Sequence, residues 1–232
     1  MRSGTQRREI RLEGEAVHYV LRRSGRRRSV GLTLGPEGLR VNAPSRLPLQ
    51  DLEEILRSKA AWILRKRADL EIRLNARPQL EDGSSLTYLG APLLLRRAER
   101  IKRVERDGEV LWLPPVGPEE TRAQLRNWYL REARGYLPGR VDALRGNLSP
   151  SRVLVSSARK RWGSCNSRGE LRFNWRLMLA PRELVDYVVV HELCHLVELN
   201  HSPAYWRQVE LRLPDWRARH EELRRRGFEF DL

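Results

Sequence analysis

Residues 181–206 read PRELVDYVVVHELCHLVELNHSPAYW, and residues 191–195 within that stretch form the pattern HExxH. The pattern has mechanical meaning only on a helix, where residues four apart share a face and two imidazoles can reach one ion. The residues before it supply that helix. Pro181 suits a first turn, and Leu184, Val185, Val188 and Val189 form an apolar side at helical spacing. Val188, His191 and His195 fall along one stripe, which puts the histidines at the edge of the buried face. Glu192 lies one step round, within reach of a metal-held water without having to bind the ion.

Two ligands do not complete a catalytic zinc site, which takes three protein ligands and keeps one position open. His201 stands six residues after His195. On a continuing helix that separation would be about 600° of rotation and about 9 Å of rise, so His201 would face away. The helix must therefore end between them. Leu199-Asn200 is the expected stop, because Asn tolerates the left-handed conformation that ends helices. The expected site is one Zn2+ held by His191, His195 and His201, with Glu192 as the catalytic base. Three of the five histidines fall within this eleven-residue stretch. The other two, His18 and His220, are expected on the surface, and Cys194 is expected to pack in the core.

Upstream, Lys160-Arg161-Trp162-Gly163-Ser164-Cys165 is followed by Asn174-Trp175-Arg176. Read together, RWGSC, LRFNWRLMLAP, VDYVVVHELCHLVELN and HSPAYW resemble the YgjP-like metallopeptidases, relatives of the SprT-type zincins. The resemblance is densest over residues 160–206. It implies a zincin-like core, with a small sheet bordering the active-site helix, and it carries the ligand role onto His191, His195 and His201 and the base role onto Glu192. A true metzincin is rejected, because Glu198 stands where that pattern has Gly. Tyr205 and Arg161 are candidate transition-state or substrate contacts. Asn174 either orients a ligand histidine from behind or makes a turn. Trp162, Trp175 and Trp206 are expected in the core or in cleft walls.

These residues point to a metallohydrolase, most directly a peptidase acting on protein or peptide substrates. Two other classes stay open: a metal-dependent nucleoside triphosphate pyrophosphohydrolase, and a nucleic-acid-binding protein with a structural metal. No GxxxxGK[ST] loop or carboxylate cluster supports the former, and structural zinc sites usually have four Cys or His ligands.

Outward from the motif, the chain reads as α+β, with a β-rich first part and a helical last part. Period-two segments occur at Glu9–Leu12, Val17–Leu21, Val30–Leu34 and Leu39–Asn42, with a turn at Gly35-Pro36-Glu37-Gly38. Residues 48–73 read as helix, with Ser58 placed to cap a second helix after a break. Strands return at Leu86–Leu89, Pro92–Leu95 and Val110–Leu113, and the Pro-rich run 114–118 is the expected lobe boundary. A long helix over 119–145 follows, with a kink or interruption expected at Pro138-Gly139. The expected organisation is one domain over 17–232, with lobes 17–115 and 116–232. Residues 1–16 form a basic extension or an edge strand. No internal repeat is visible in the residues.

The chain has 232 residues and a formal net charge of +15. That charge attracts polyanions at low salt, or it is simply a solvated arginine-rich surface. Arg22 to Arg28 leave the same two readings open. Non-specific nucleic acid is thus a candidate partner. Two cysteines give no disulfide framework, and no long apolar run suggests a membrane span, so a cytoplasmic protein is expected.

Overall fold

The computed structural model describes residues 5–35, 37–75 and 78–232. Residues 1–4 of the expected extension and Pro36 of the expected turn lie outside the described residues. The chain is α+β and divides into two compact units, Met1–Ala76 and Arg77–Leu232.

The first unit is a four-stranded sheet with two helices. Strands β1 (Thr5–Leu12) and β2 (Glu15–Ser24) pair antiparallel through a two-residue turn. Glu13 and Gly14 both take positive φ there, as the hairpin turn that matches strand twist requires. Strands β3 (Gly31–Gly35) and β4 (Gly38–Pro44) complete the order β1-β2-β4-β3. Alternation then sorts the side chains: Ile10, Leu12, Val17, Tyr19, Leu21, Leu39 and Val41 share one buried face. Helices α1 (Leu49–Ser58) and α2 (Ala60–Asn75) contribute Leu52, Leu56 and Ile63 to the same core. The helix breaks at Lys59, but Ser58 does not cap the second piece: its hydroxyl donates back to Ile55 O at 2.9 Å.

The second unit opens on another four-stranded sheet. Strands β5 (Ser85–Tyr88), β6 (Ala91–Arg97), β7 (Glu105–Asp107) and β8 (Val110–Leu113) lie in the order β5-β6-β8-β7. Both four-stranded sheets show the same succession of antiparallel, parallel and antiparallel pairings. The chain therefore does repeat, at the level of topology, although its residues do not show it.

The Pro-rich run 114–118 is not where the units part. Leu86, Leu93, Leu95, Leu111 and Leu113 share one core with the helices that follow them. The Arg97 guanidinium pins the run down, donating to Leu80 O at 2.9 Å, Pro114 O at 3.0 Å and Val116 O at 3.1 Å. Helix α3 (Pro118–Leu144) buries Leu125, Trp128, Tyr129, Ala133, Leu137 and Val141, and runs through Pro138 without interruption. The carbonyl that Pro138 leaves without a donor belongs to Arg134, an exposed residue that water can serve. A three-stranded sheet of β9 (Arg152–Ser156), β10 (Gly163–Cys165) and β11 (Glu170–Asn174) follows, with β10 at one edge. After a 3-10 turn over Trp175–Leu179 come α4 (Arg182–Cys194), α5 (Pro203–Arg212) and α6 (Trp216–Arg226). Strand β10 packs against α4.

Candidate metal centre

Helix α4 ends at Cys194, with His195 as its C-cap, five residues before Asn200. The expected stop is thus displaced, and its mechanism differs. Leu196 N bonds Leu193 O, and Val197 N and Glu198 N both bond Cys194 O, so a tightened last turn serves the orphan carbonyls. Asn200 is not left-handed. Its side-chain oxygen instead accepts from Ser202 N at 2.9 Å, and the Ser202 hydroxyl caps α5 by accepting from Tyr205 N at 3.3 Å. Two consecutive side-chain turns reverse the chain and return His201 to the face of α4.

The result is convergence. One ring nitrogen each from His191, His195 and His201 lies within 4.8 Å of the other two. His191 Nε2 and His201 Nε2 are 3.2 Å apart. Two nitrogens on a tetrahedral zinc, each at about 2.0–2.1 Å, are separated by about 3.3 Å, so the donor set fits that ion. His195 Nδ1 lies 3.0 Å from Glu198 O. A carbonyl can only accept, so Nδ1 carries the hydrogen and Nε2 keeps its lone pair for a metal. Any residue at position 198 supplies that carbonyl, so the departure from Gly there leaves this support intact. Burial, then the neighbouring His195 and His201, pulls His191 down to about 3, and burial also lowers His201. Both therefore stand ready as neutral ligands.

Glu192 sits beside the triad, buried, in a cleft of about 340 Å³ that it lines with His191, Arg161, Trp162 and Gly163. Burial pushes its carboxyl up to about 8, against the pull of Arg161. The edge strand comes close to it: a Cβ on Gly163 would stand 2.5 Å from both Glu192 Cγ and Glu192 Oε1. Only glycine permits that approach, which gives RWGSC a physical meaning that its residues alone did not show.

Across most of the chain, from residue 28 to residue 226, the sequence matches the family model described as YgjP-like, metallopeptidase domain. The chain belongs to the YgjP-like metallopeptidase family. No curated protein and no solved structure matches it.

The remaining expected residues of this YgjP-like domain divide. Arg161 lines the cleft. Tyr205 does not open onto it: its fully buried hydroxyl donates to His191 O at 2.9 Å, and its ring stacks on His195 with centroids 4.5 Å apart. That arrangement supports two of the histidines and leaves no donor for substrate. Asn174 makes no hydrogen bond to a histidine among the described residues. Its amide donates to Ala158 O at 2.7 Å and Arg161 O at 3.2 Å, and its oxygen accepts from Arg176 N at 3.1 Å, so it shapes the loop that presents Arg161. Trp175 is core, Trp162 lines the cleft, and Trp206 stacks on Trp216 at 4.2 Å. Cys194 packs in the core, as expected.

His18 is exposed and 3.3 Å from Glu9, a surface pair. His220 corrects the expectation. It is half-buried, its Nδ1 lies 2.7 Å from Tyr187 Oη, and it lines the cleft with His191 and Glu192. The signal was present: Trp216, His220 and Leu223 fall four and three apart on α6, a face that turns inward.

Proposed function

We propose that this domain is a zinc-dependent peptidase, with His191, His195 and His201 holding one Zn2+ and Glu192 handling the proton in hydrolysis of a peptide bond. The observation that carries the reading is the convergence of three histidine nitrogens within 4.8 Å, beside a buried glutamate that opens onto the same cleft. Zinc bound there supplies a Lewis acid and makes a water more acidic. Glu192, placed beside the three histidines and lining the cleft, is suited to take a proton from water there and return it to the leaving amine. Tyr205 and the Glu198 carbonyl keep His191 and His195 in place. Arg161, at the cleft wall, is the remaining candidate for contact with substrate or with developing negative charge.

A glutamate lining an open cleft favours a hydrolase over a structural metal site, for which Glu192 would have no task. The decisive experiment follows cleavage of unstructured peptides, beside nucleoside triphosphates, by zinc-loaded protein and Glu192→Gln. Peptide turnover lost in Glu192→Gln with zinc retained supports the proposal. Turnover of nucleotide alone would move the assignment to a pyrophosphohydrolase.

The described helices include none long and apolar enough to cross a membrane. Cys165 and Cys194 are free thiols, which fits the reducing, cytoplasmic setting proposed for the chain.

A further inference from the structure

Arginines gather at a second cavity, of about 270 Å³, which shares no lining residue with the cleft at the histidines. Arg122 and Arg126 come from the first turns of α3, Arg159 from the loop after β9, and Arg176 from the 3-10 turn after β11. Glu119 and Asp231 are the side-chain carboxylates of the lining, which also includes Leu232. Four guanidinium groups against two side-chain carboxylates leave the side-chain charge of the lining positive. Only Arg176 is ion-paired: its Nε donates to Asp231 at 2.6 Å, and its guanidinium lies over the Trp175 ring. Arg122, Arg126 and Arg159 make no ion pair among the described residues.

Burial supplies a second, independent observation. Seven buried side-chain polar atoms lack a hydrogen-bond partner among the described residues, and three of them belong to residues that line this cavity: Arg122 Nη1, Trp175 Nε1 and Arg176 Nη1. All three are donors. Buried donors left without an acceptor are costly, and charged ones most of all, so such a cluster calls for an oxygen-rich anion. Glu119, Arg122, Ala123 and Arg126 line the cavity along one face of α3.

We propose that this cavity is a phosphate-binding site, separate from the metal centre and independent of the peptidase reading. Phosphate suits it better than a single carboxylate. It offers several strong acceptor oxygens to guanidinium groups arriving from three directions, and it accepts from an indole N–H as well. Its source is either a free phosphate or a nucleic-acid backbone, and the test separates these two.

The test titrates the zinc-loaded full chain with orthophosphate, and separately with a short single-stranded oligonucleotide lacking a terminal phosphate. It follows the Trp175 indole N–H resonance, assigned through Trp175→Phe. That reporter is local, so phosphate binding at the metal centre does not mimic it. A saturable shift with orthophosphate alone identifies a free-phosphate site. A shift with the oligonucleotide, competed by orthophosphate, identifies a backbone site. In either case Arg122→Gln with Arg159→Gln raises the apparent Kd by about tenfold or more, while Arg100→Gln with Arg103→Gln, two exposed arginines outside the cavity lining, leaves it unchanged. The exposed position of Arg159 makes Arg159→Gln alone a variant that folds, and it must weaken binding in the same direction. No saturable shift with either probe, the same shift from potassium chloride at matched ionic strength, or equal loss in the Arg100/Arg103 control would overturn the proposal.

Discussion

Replacing Gly163 with Ala adds one methyl group against the carboxylate that the account makes the proton carrier. The new Cβ would meet Glu192 Cγ and Oε1 at 2.5 Å and Cδ at 2.8 Å. Ordinary contacts between such atoms begin at about 3.5 Å, so Glu192 must withdraw by about an ångström. Misplacing a catalytic group by about that distance costs on the order of 100-fold in kcat. Over-packing costs about 1–3 kcal/mol of stability. The three atoms nearest the added Cβ all belong to Glu192 and none to a histidine, so zinc content should not change. The assay pairs peptide turnover with zinc content and a thermal melt, wild type beside Gly163→Ala. A variant that keeps full turnover would refute the claim that the approach of β10 sets the position of Glu192. A variant that loses its zinc would refute the separation of base from ligands.

Other consequences follow from the same geometry. Tyr205→Phe leaves His191 O without its donor but keeps the ring on His195. It should lose about 1 kcal/mol of stability, read by urea denaturation, and retain most turnover; abolished turnover at unchanged stability would make Tyr205 a substrate contact after all. Ser202→Ala removes the α5 cap, at a cost of about 1 kcal/mol. It should also release zinc to a chelator faster than wild type, because the capped turn carries His201; an unchanged release rate would separate cap from ligand. The metal-free protein should show a pH signature of Glu192. Its folded carboxyl, near 8, lies above the ordinary value of 4.5, so the folded state holds more protons between those limits. The contribution of Glu192 to stability is therefore full below about pH 4.5 and is lost as pH rises toward 8, and metal-free Glu192→Gln should gain on wild type over that window. Parallel urea midpoints at pH 5 and pH 8 would contradict the burial of Glu192.

Much of this was legible before the fold was seen. Period-two patterning gave the β1–β2 hairpin because one face of that sheet is buried and the other is not. HExxH on an apolar helix located His191, Glu192 and His195 because helical geometry fixes which residues share a face. Other features depended on tertiary contacts that no local pattern carries. Strands β7 and β10 are three residues each, too short to alternate, and exist through pairing with β8 and β11. The compact units divide at 76 rather than at 114–118, and the strands before the proline run share one core with the helices after it, a contact between distant residues. Helix α4 stopped at Cys194 in a tightened last turn, and the Asn200 and Ser202 side chains then turn the chain, where a left-handed Asn was expected to do both. Tyr205 looked like a free phenol in sequence; only packing shows its hydroxyl committed to a carbonyl. The inward face of His220 was legible from Trp216 and Leu223 beside it, but its partner, Tyr187, lies on another helix.

The most direct test of the central claim is the zinc content of purified protein, wild type beside His201→Ala and Glu192→Ala. The account predicts one zinc in wild type and in Glu192→Ala, and marked loss in His201→Ala. No zinc in wild type under metal-replete conditions, or zinc undisturbed by His201→Ala, would contradict the three-histidine site.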